Sequence, residues 1–323
     1  MRMEADSHVH CFGKLPTYGD YYGAPAASGW NVEFHDWLMT GFVAYRTRLR
    51  ADGSQSTALP PVGWVIRLAE SDMTVLCAVA DYGGDSQGRP FPMCFYVGVP
   101  SPSWPGPTSG MLPAALGVLD RLADVHREVG RCLEADGQID SLLVDRALDL
   151  SVLQTKASDD AWIDGARAIG FDDWFAGAAA VMRLKEVSAW CRATSLWGDT
   201  IAGSESESFE VTLRFPLSTR GSKAAQAAGW LRWLESRMNL KRRSLSLVVS
   251  SDVAREAGHF GVIARPIVAD DFLMATPLCE ALPYVDDAAR VAAPADADPM
   301  SCDGQDGVPI CWVDFVESGV GRP

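Results

Sequence analysis

Three short apolar runs, separated by turn residues, constrain this chain more than any other feature. Val62 to Leu68 and Met73 to Ala80 are rich in Val, Leu and Ile, and the polar triplet Glu70-Ser71-Asp72 stands between them. Apolar stretches of strand length around a short polar turn read as a β-hairpin. A glycine loop at 83–88 leads into a third run, Pro92 to Val99, rich in Phe, Tyr and Val. It predicts a third strand.

Helical periodicity surrounds this core. Phe34, Trp37, Leu38, Phe42 and Tyr45, with Gly41 on the same side, follow the i, i+3, i+4, i+7 spacing of one buried face. With Asn31 as N-cap, they predict a helix over about 32–49. Residues 7–12 read as a short strand, followed by a turn region punctuated by Gly13, Pro16, Gly19 and Asp20. Pro100, Pro102, Pro105 and Pro107 mark an extended connector. From about 111 to 192 the pattern is helical. Leu112, Ala115, Leu116, Leu119 and Leu122 line the first face, and further segments lie near 138–153, 158–168 and 171–192. Beyond an acidic loop, Phe209 to Phe215 reads as a strand. A helix over 221–239 follows, with Ala227, Leu231, Leu234 and Met238 inward and Trp230 and Trp233 beside them. Ser244 to Val249 and His259 to Ala264 read as strands, and a short helix starts near Ala269. The expected fold is therefore α/β (α+β): a mixed or largely antiparallel sheet flanked by helices, with a helical insertion in mid-chain. The regular strand–helix alternation of a Rossmann fold is missing.

Residues 1–285 form the expected domain. From 286 to 323 the chain is rich in Asp, Ala, Pro and Gly and reads as a flexible acidic tail. The exception is Val308 to Val316, which has the pattern of an edge strand or a docking peptide. At 323 residues and 48% hydrophobic, the chain buries a core without disulfide or metal staples. Its 28 basic against 42 acidic residues leave a net charge of −14. That argues against nucleic-acid partners and anionic membranes, both of which need clustered cations. Lys241-Arg242-Arg243 is short and fits a helix end that complements the macrodipole. No apolar run, Ala176 to Met182 being typical, approaches the length of a membrane span, and the N-terminus, which carries Glu4 and Asp6 and lacks a long apolar stretch, is not expected to be a secretory signal. The eight cysteines form no C-x-x-C pair and suit a reducing cytoplasm, with Cys77 and Cys94 inside apolar patterns.

Several strings suggest chemistry. Gly84-Asp85-Ser86-Gln87-Gly88 matches G-x-S-x-G, but Pro90 and Pro92 block the helix that a nucleophile elbow needs after its serine, so a turn is expected at Ser86. His8 and His10 alternate onto one face of a strand beside Cys11. A metal there would need a distant third ligand such as His35 or Asp20, and two ordinary strand imidazoles are the expectation. Gly13-Lys14 lacks the Walker A frame, since His8 and Leu15 stand where Gly and Ser or Thr belong. His126 and His259 are solitary and read as structural. No metal and no cofactor are expected. There remain two loops rich in Gly, Pro and charge. One holds Gly13, Lys14, Pro16, Gly19 and Asp20. The other holds Asp85, Gly88, Arg89, Phe91 and Pro92. Lys14 or Arg89 can pair with Asp20 or Asp85. Ion-pair scaffolding and a partner-binding surface both stay open.

The same loops carry a family resemblance. Phe12-Gly13-Lys14-Leu15-Pro16-Thr17-Tyr18-Gly19-Asp20-Tyr21 resembles the N-terminal signature of the TagF/ImpM family of type VI secretion-associated proteins. Phe34-His35-Asp36-Trp37-Leu38-Met39-Thr40-Gly41-Phe42 resembles its next element, and Asp85-Ser86-Gln87-Gly88-Arg89-Pro90-Phe91-Pro92 its Asp-x-x-Gly-Arg-x-Phe-Pro loop. Ser195-Leu196-Trp197 resembles a later element, although Gly198-Asp199-Thr200 departs from the family there. The match is best over 8–100 and does not extend to the tail. The resemblance implies a cytoplasmic regulator, not an enzyme: a post-translational repressor of secretion-apparatus assembly acting with an Fha-type scaffold protein. Gly13, Lys14, Pro16, Gly19, Asp20, Asp36, Trp37, Asp85, Gly88, Arg89, Phe91 and Pro92 are then its expected site or scaffold, with Trp37 expected in the core. Two rival readings are a hydrolase or metal enzyme using Ser86 or His8 and His10, and a structural subunit of a secretion assembly.

Overall fold

The structure, a computed structural model, describes residues 6–23, 29–51, 59, 61–101, 104, 108–135, 139–143, 146–154, 212–217, 223–237, 245–251 and 258–276. The segments expected at 158–168 and 171–192, Ser195-Leu196-Trp197, Lys241-Arg242-Arg243, Met238 and the acidic tail with Val308 to Val316 lie outside them.

The central hairpin forms as the turn chemistry dictates. Strand β3 (Val62–Arg67) pairs antiparallel with β4 (Met73–Ala80). Asp72 takes φ 51° at the turn, a left-handed conformation that Asp tolerates. The Leu68 amide donates to Met73 O at 2.9 Å. β5 (Met93–Pro100) pairs with the whole of β4, from Met73 opposite Pro100 to Ala80 opposite Met93. β1 (Asp6–Lys14) pairs with β5, and β2 (Tyr21–Tyr22) with the end of β1. On the far side β6 (Thr212–Leu217), β7 (Ser246–Ser251) and β8 (Gly258–Ile263) complete an eight-stranded sheet in the order β2-β1-β5-β4-β3-β7-β8-β6. Every one of these pairings is antiparallel, so the sheet resolves to the antiparallel form of the α/β expectation.

Helices cover both faces. α1 (Trp30–Ala51) lays Phe34, Trp37, Leu38, Phe42 and Tyr45 over Trp64, Ile66, Val75 and Tyr96, together with a 3₁₀ turn over Ala269–Ala275. α2 (Leu112–Glu134) packs the predicted Leu112, Ala115, Leu116, Leu119 and Leu122 onto Val65, Leu76, Phe95 and Val97 of the opposite face. Pro113 sits in its first turn, where the missing N–H costs nothing. A short α3 (Asp140–Leu143) follows, and α4 (Lys223–Arg237) buries Ala227, Trp230, Leu231 and Leu234 beside α2. β4 is covered on both faces, which is why it reads as an unbroken apolar run.

Three expectations are corrected. The turn region after residue 12 is shorter than predicted, because β1 runs on to Lys14 and Tyr21–Tyr22 pairs with its end. β6 (Thr212–Leu217) ends two residues beyond the predicted end, because its register follows β8; residues 209–211 of the predicted strand lie outside the described residues. The short helix expected near Ala269 is present as a 3₁₀ helix over Ala269–Ala275. Among the described residues of 138–153 only Asp140–Leu143 is α-helical, with a 3₁₀ turn at Ser151–Gln154; Ala147 forms a β-bridge with His8. Very short helices gain little from their own hydrogen bonds, so the open edge of β1 wins that stretch. No helix among the described residues is long and apolar enough to cross a membrane.

Candidate functional site

The two motif-bearing loops converge at one end of the sheet. Gly13 makes this possible. Its φ is +155°, and a Cβ there would lie 2.3 Å from Pro92 O and 2.5 Å from Met93 Cα. Only a glycine lets the end of β1 pass over the backbone of the second loop. Leu15 is fully buried, and Tyr18 N donates to Leu15 O at 3.0 Å, closing a turn with the exposed Pro16 at its second position. The second loop turns through Gly88, φ +71°, whose amide donates to Asp85 O at 2.8 Å.

The Asp85 carboxylate holds the two loops together. Its Oδ2 receives Lys14 Nζ at 2.9 Å and Arg89 Nε at 2.8 Å, and its Oδ1 receives the amides of Gln87 at 3.0 Å and Arg89 at 2.9 Å. The side chains of Asp85 and Lys14 are 0% and 7% exposed. Burial pushes the Asp85 carboxyl up. The Lys14 ammonium, then the Arg89 amide and guanidinium and the Gln87 amide, outweigh it and hold the group well below the usual carboxylate range. A carboxylate so fully engaged serves as an anchor. Arg89 also donates through Nη2 to Gly19 O, and Ser86 N donates to Tyr18 O at 2.8 Å. Of the pairings open from the sequence, both cations therefore choose Asp85. Asp20 instead caps its neighbour, accepting from Tyr21 N at 2.9 Å, and forms no ion pair among the described residues.

Aromatic rings fill the space beneath. Phe12 stacks between Tyr21, at 5.1 Å with planes 1° apart, and His35, at 4.2 Å. Phe91 meets Phe12, Tyr21 and Phe42 edge-on at 5.7, 5.1 and 5.2 Å. Lys14 Nζ lies 4.9 Å from the Tyr21 ring centroid. His35 Nε2 is 2.8 Å from Tyr96 Oη. Burial lowers the His35 pKa to about 4, with Asp36 raising it and His10 lowering it further.

Gly13, Lys14, Pro16, Gly19, Asp20, Asp85, Gly88, Arg89, Phe91 and Pro92 are thus brought together. Asp36 and Trp37 are not part of that cluster. Trp37 packs on Trp64 and Phe272 at 5.2 and 5.8 Å and donates Nε1–H to Val268 O at 3.0 Å, the expected core position. Asp36 is exposed on α1. Gly19 needs no special backbone: a Cβ there meets Ser86 Oγ at an ordinary 3.6 Å. Sequence reasoning did not place Tyr18, Tyr21, Tyr22 or Asp140 at the site, and it raised His35 only as a distant metal ligand. The tyrosines lay inside or beside the quoted string, whereas nothing in the sequence links Asp140 to it.

The rival candidates are also placed. Ser86 is exposed in a turn that runs directly into β5, with no helix after it. His8 is exposed at the Ala147 bridge. His10 stacks on Tyr96 at 5.4 Å and meets Trp30 edge-on at 5.9 Å. Among the described residues no group of three or more His, Cys, Asp or Glu is gathered as a metal site would require. His126 is buried in α2, its Nε2–H donating to Ala78 O at 2.8 Å, and burial lowers its pKa to about 4. Cys77 and Cys94 are free and buried, as expected; Cys11 and Cys132 are free and half-buried.

What the loops leave outward is a surface. Their amides at Asp85, Ser86, Gln87, Gly88 and Arg89 are all engaged within the fold, so no nest of free N–H groups awaits a phosphate. Exposed instead are Asp20, Tyr21, Ser86, Gln87 and Arg89, with Tyr21 40% exposed and the Arg89 side chain 50% exposed.

The sequence matches no protein-family profile and no curated protein. Among solved structures, the crystal structure of PA0076 from Pseudomonas aeruginosa PAO1 is similar, at 19% identity and a TM-score of 0.33. The similarity covers 46% of this chain and 63% of that one, less than two thirds of its length.

Proposed function

We propose that this chain is a cytoplasmic accessory protein of a type VI secretion system. It restrains apparatus assembly by binding a protein partner, an Fha-type scaffold, through the surface of the two joined loops. It acts by occupying a surface and makes or breaks no covalent bond. The observation that supports this reading most is the Lys14–Asp85 pair, which links positions 71 residues apart and turns two resembling motifs into one rigid face. Tyr and Arg held firm by buried neighbours, as Tyr21 is by Phe12 and Arg89 by Asp85, have the composition and rigidity of interface anchors.

The test is a titration of the purified chain against the Fha-type scaffold from the same genome, with Asp20→Ala, Tyr21→Ser and Arg89→Ala alongside. Saturable binding by the parent chain, weakened tenfold or more by folded Tyr21→Ser or Arg89→Ala, is the expected result. No binding by the folded parent chain removes this partner.

A further inference from the structure

Beyond α2, Asp140 and residues 146–148 lie along the outer edge of the sheet. Asp140 Oδ1, at the start of α3, accepts the hydroxyls of Tyr22 at 2.6 Å and Tyr18 at 3.0 Å. Those rings meet at 64° with centroids 4.7 Å apart, on either side of the Gly19–Asp20 turn. A few residues later the chain pairs with β1. Val9 N donates to Arg146 O and Leu148 N to Ser7 O, each at 2.8 Å, about the bridge of His8 with Ala147. The Arg146 guanidinium forms an ion pair with Glu128 of α2. β2 covers one end of the β1 edge and residues 146–148 cover the other.

We propose that residues 139–143 and 146–148 form a strap that couples the two-loop surface to the edge of β1, so that displacing either one loosens the other. The described links run from both ends. Ser86 N bonds Tyr18 O, Tyr18 and Tyr22 bond Asp140, and the strap bonds Ser7 and Val9. A carboxylate accepting two phenolic hydroxyls is the strong link, because its hydrogen bonds are charge-assisted. A lone bridge of two backbone bonds is the weak one, the kind of structure that opens locally at low cost. Opening it uncovers the Ser7 carbonyl and the Val9 amide, an unpaired strand edge of the kind that recruits an extended segment of another chain. A partner that shifts Tyr18 or Tyr22 therefore also changes what the β1 edge presents. Such coupling is reciprocal.

Amide hydrogen exchange on the full chain tests this without any partner, so its failure is separate from failure of the proposed function. Arg146→Gln removes the tie to Glu128 at the strap end, and Tyr18→Phe/Tyr22→Phe removes the ties to Asp140 at the loop end. Arg146→Gln is expected to speed exchange at Val9 and Leu148 and also, about tenfold, at Ser86. The tyrosine pair is expected to speed exchange at Ser86 and also at Val9 and Leu148. The β4 amides paired to β5 report the global fold and stay protected. If each variant loosens only its own end, the other changing less than about twofold, the coupling is refuted. Should Arg146→Gln release the β4 amides as well, the tyrosine variant decides alone.

Discussion

Lys14 and Asp85 meet at 2.9 Å in the interior, and the same carboxylate oxygen takes Arg89 from the solvent side. One anion thus serves a buried and a half-exposed cation. Asp85→Asn leaves the Lys14 charge without a full counter-ion. It is expected to lower Tm clearly more than Asp20→Asn, where the carboxylate accepts from a local amide and forms no ion pair among the described residues. Adding Lys14→Met to Asp85→Asn recovers part of the loss, because an apolar replacement no longer strands a charge. A double-mutant cycle by thermal or urea unfolding reads the coupling.

Gly13→Ala tests the close crossing of the loops. The new Cβ meets backbone at 2.3 Å, which no side-chain rotation relieves, and the positive φ adds strain. A loss of about 1–3 kcal/mol from the φ alone is expected, with the clash adding to it. Gly19→Ala, against an ordinary 3.6 Å contact, stays within about 0.5 kcal/mol.

Trp37 and Asp36 are neighbours with opposite roles. Trp37→Ala empties a site between Trp64 and Phe272 and is expected to cost about 3–5 kcal/mol in urea unfolding. Asp36→Ala, on the exposed side of α1, is expected to stay within about 0.5 kcal/mol. If Asp36 contributes to partner binding, it does so with stability unchanged, which makes it a clean probe.

Stability should fall on mild acidification. His35 and His126 have pKa values lowered from 6.5 to about 4 in the fold. Between those values the unfolded chain takes up protons that the native rings refuse. Each histidine therefore removes about 1.4 kcal/mol per pH unit as pH falls through that window, and contributes fully above 6.5. Asp85, held low, acts in the same direction further down, its contribution fading only below the ordinary carboxylate range. Urea unfolding at pH 7, 6 and 5 should show the slope. His35→Phe, which keeps the stack on Phe12, should flatten it by about one histidine's share.

Local order along the chain follows from near neighbours. The stripe from Phe34 to Tyr45, the face from Leu112 to Leu122 and the turn at Glu70-Ser71-Asp72 each declare a local structure, because periodicity and turn chemistry act over a few residues. The two loops were legible as places of interest for the same reason. Folding selected which of several equivalent partners is used. It chose Asp85 over Asp20 for both Lys14 and Arg89, set β3 beside β7 across the chain, and brought Asp140 to Tyr18 and Tyr22. Ion pairs and hydrogen bonds act over about 3 Å and gain strength where water is excluded. Distance and burial at that scale arise only when remote segments pack, and no spacing along the chain records them.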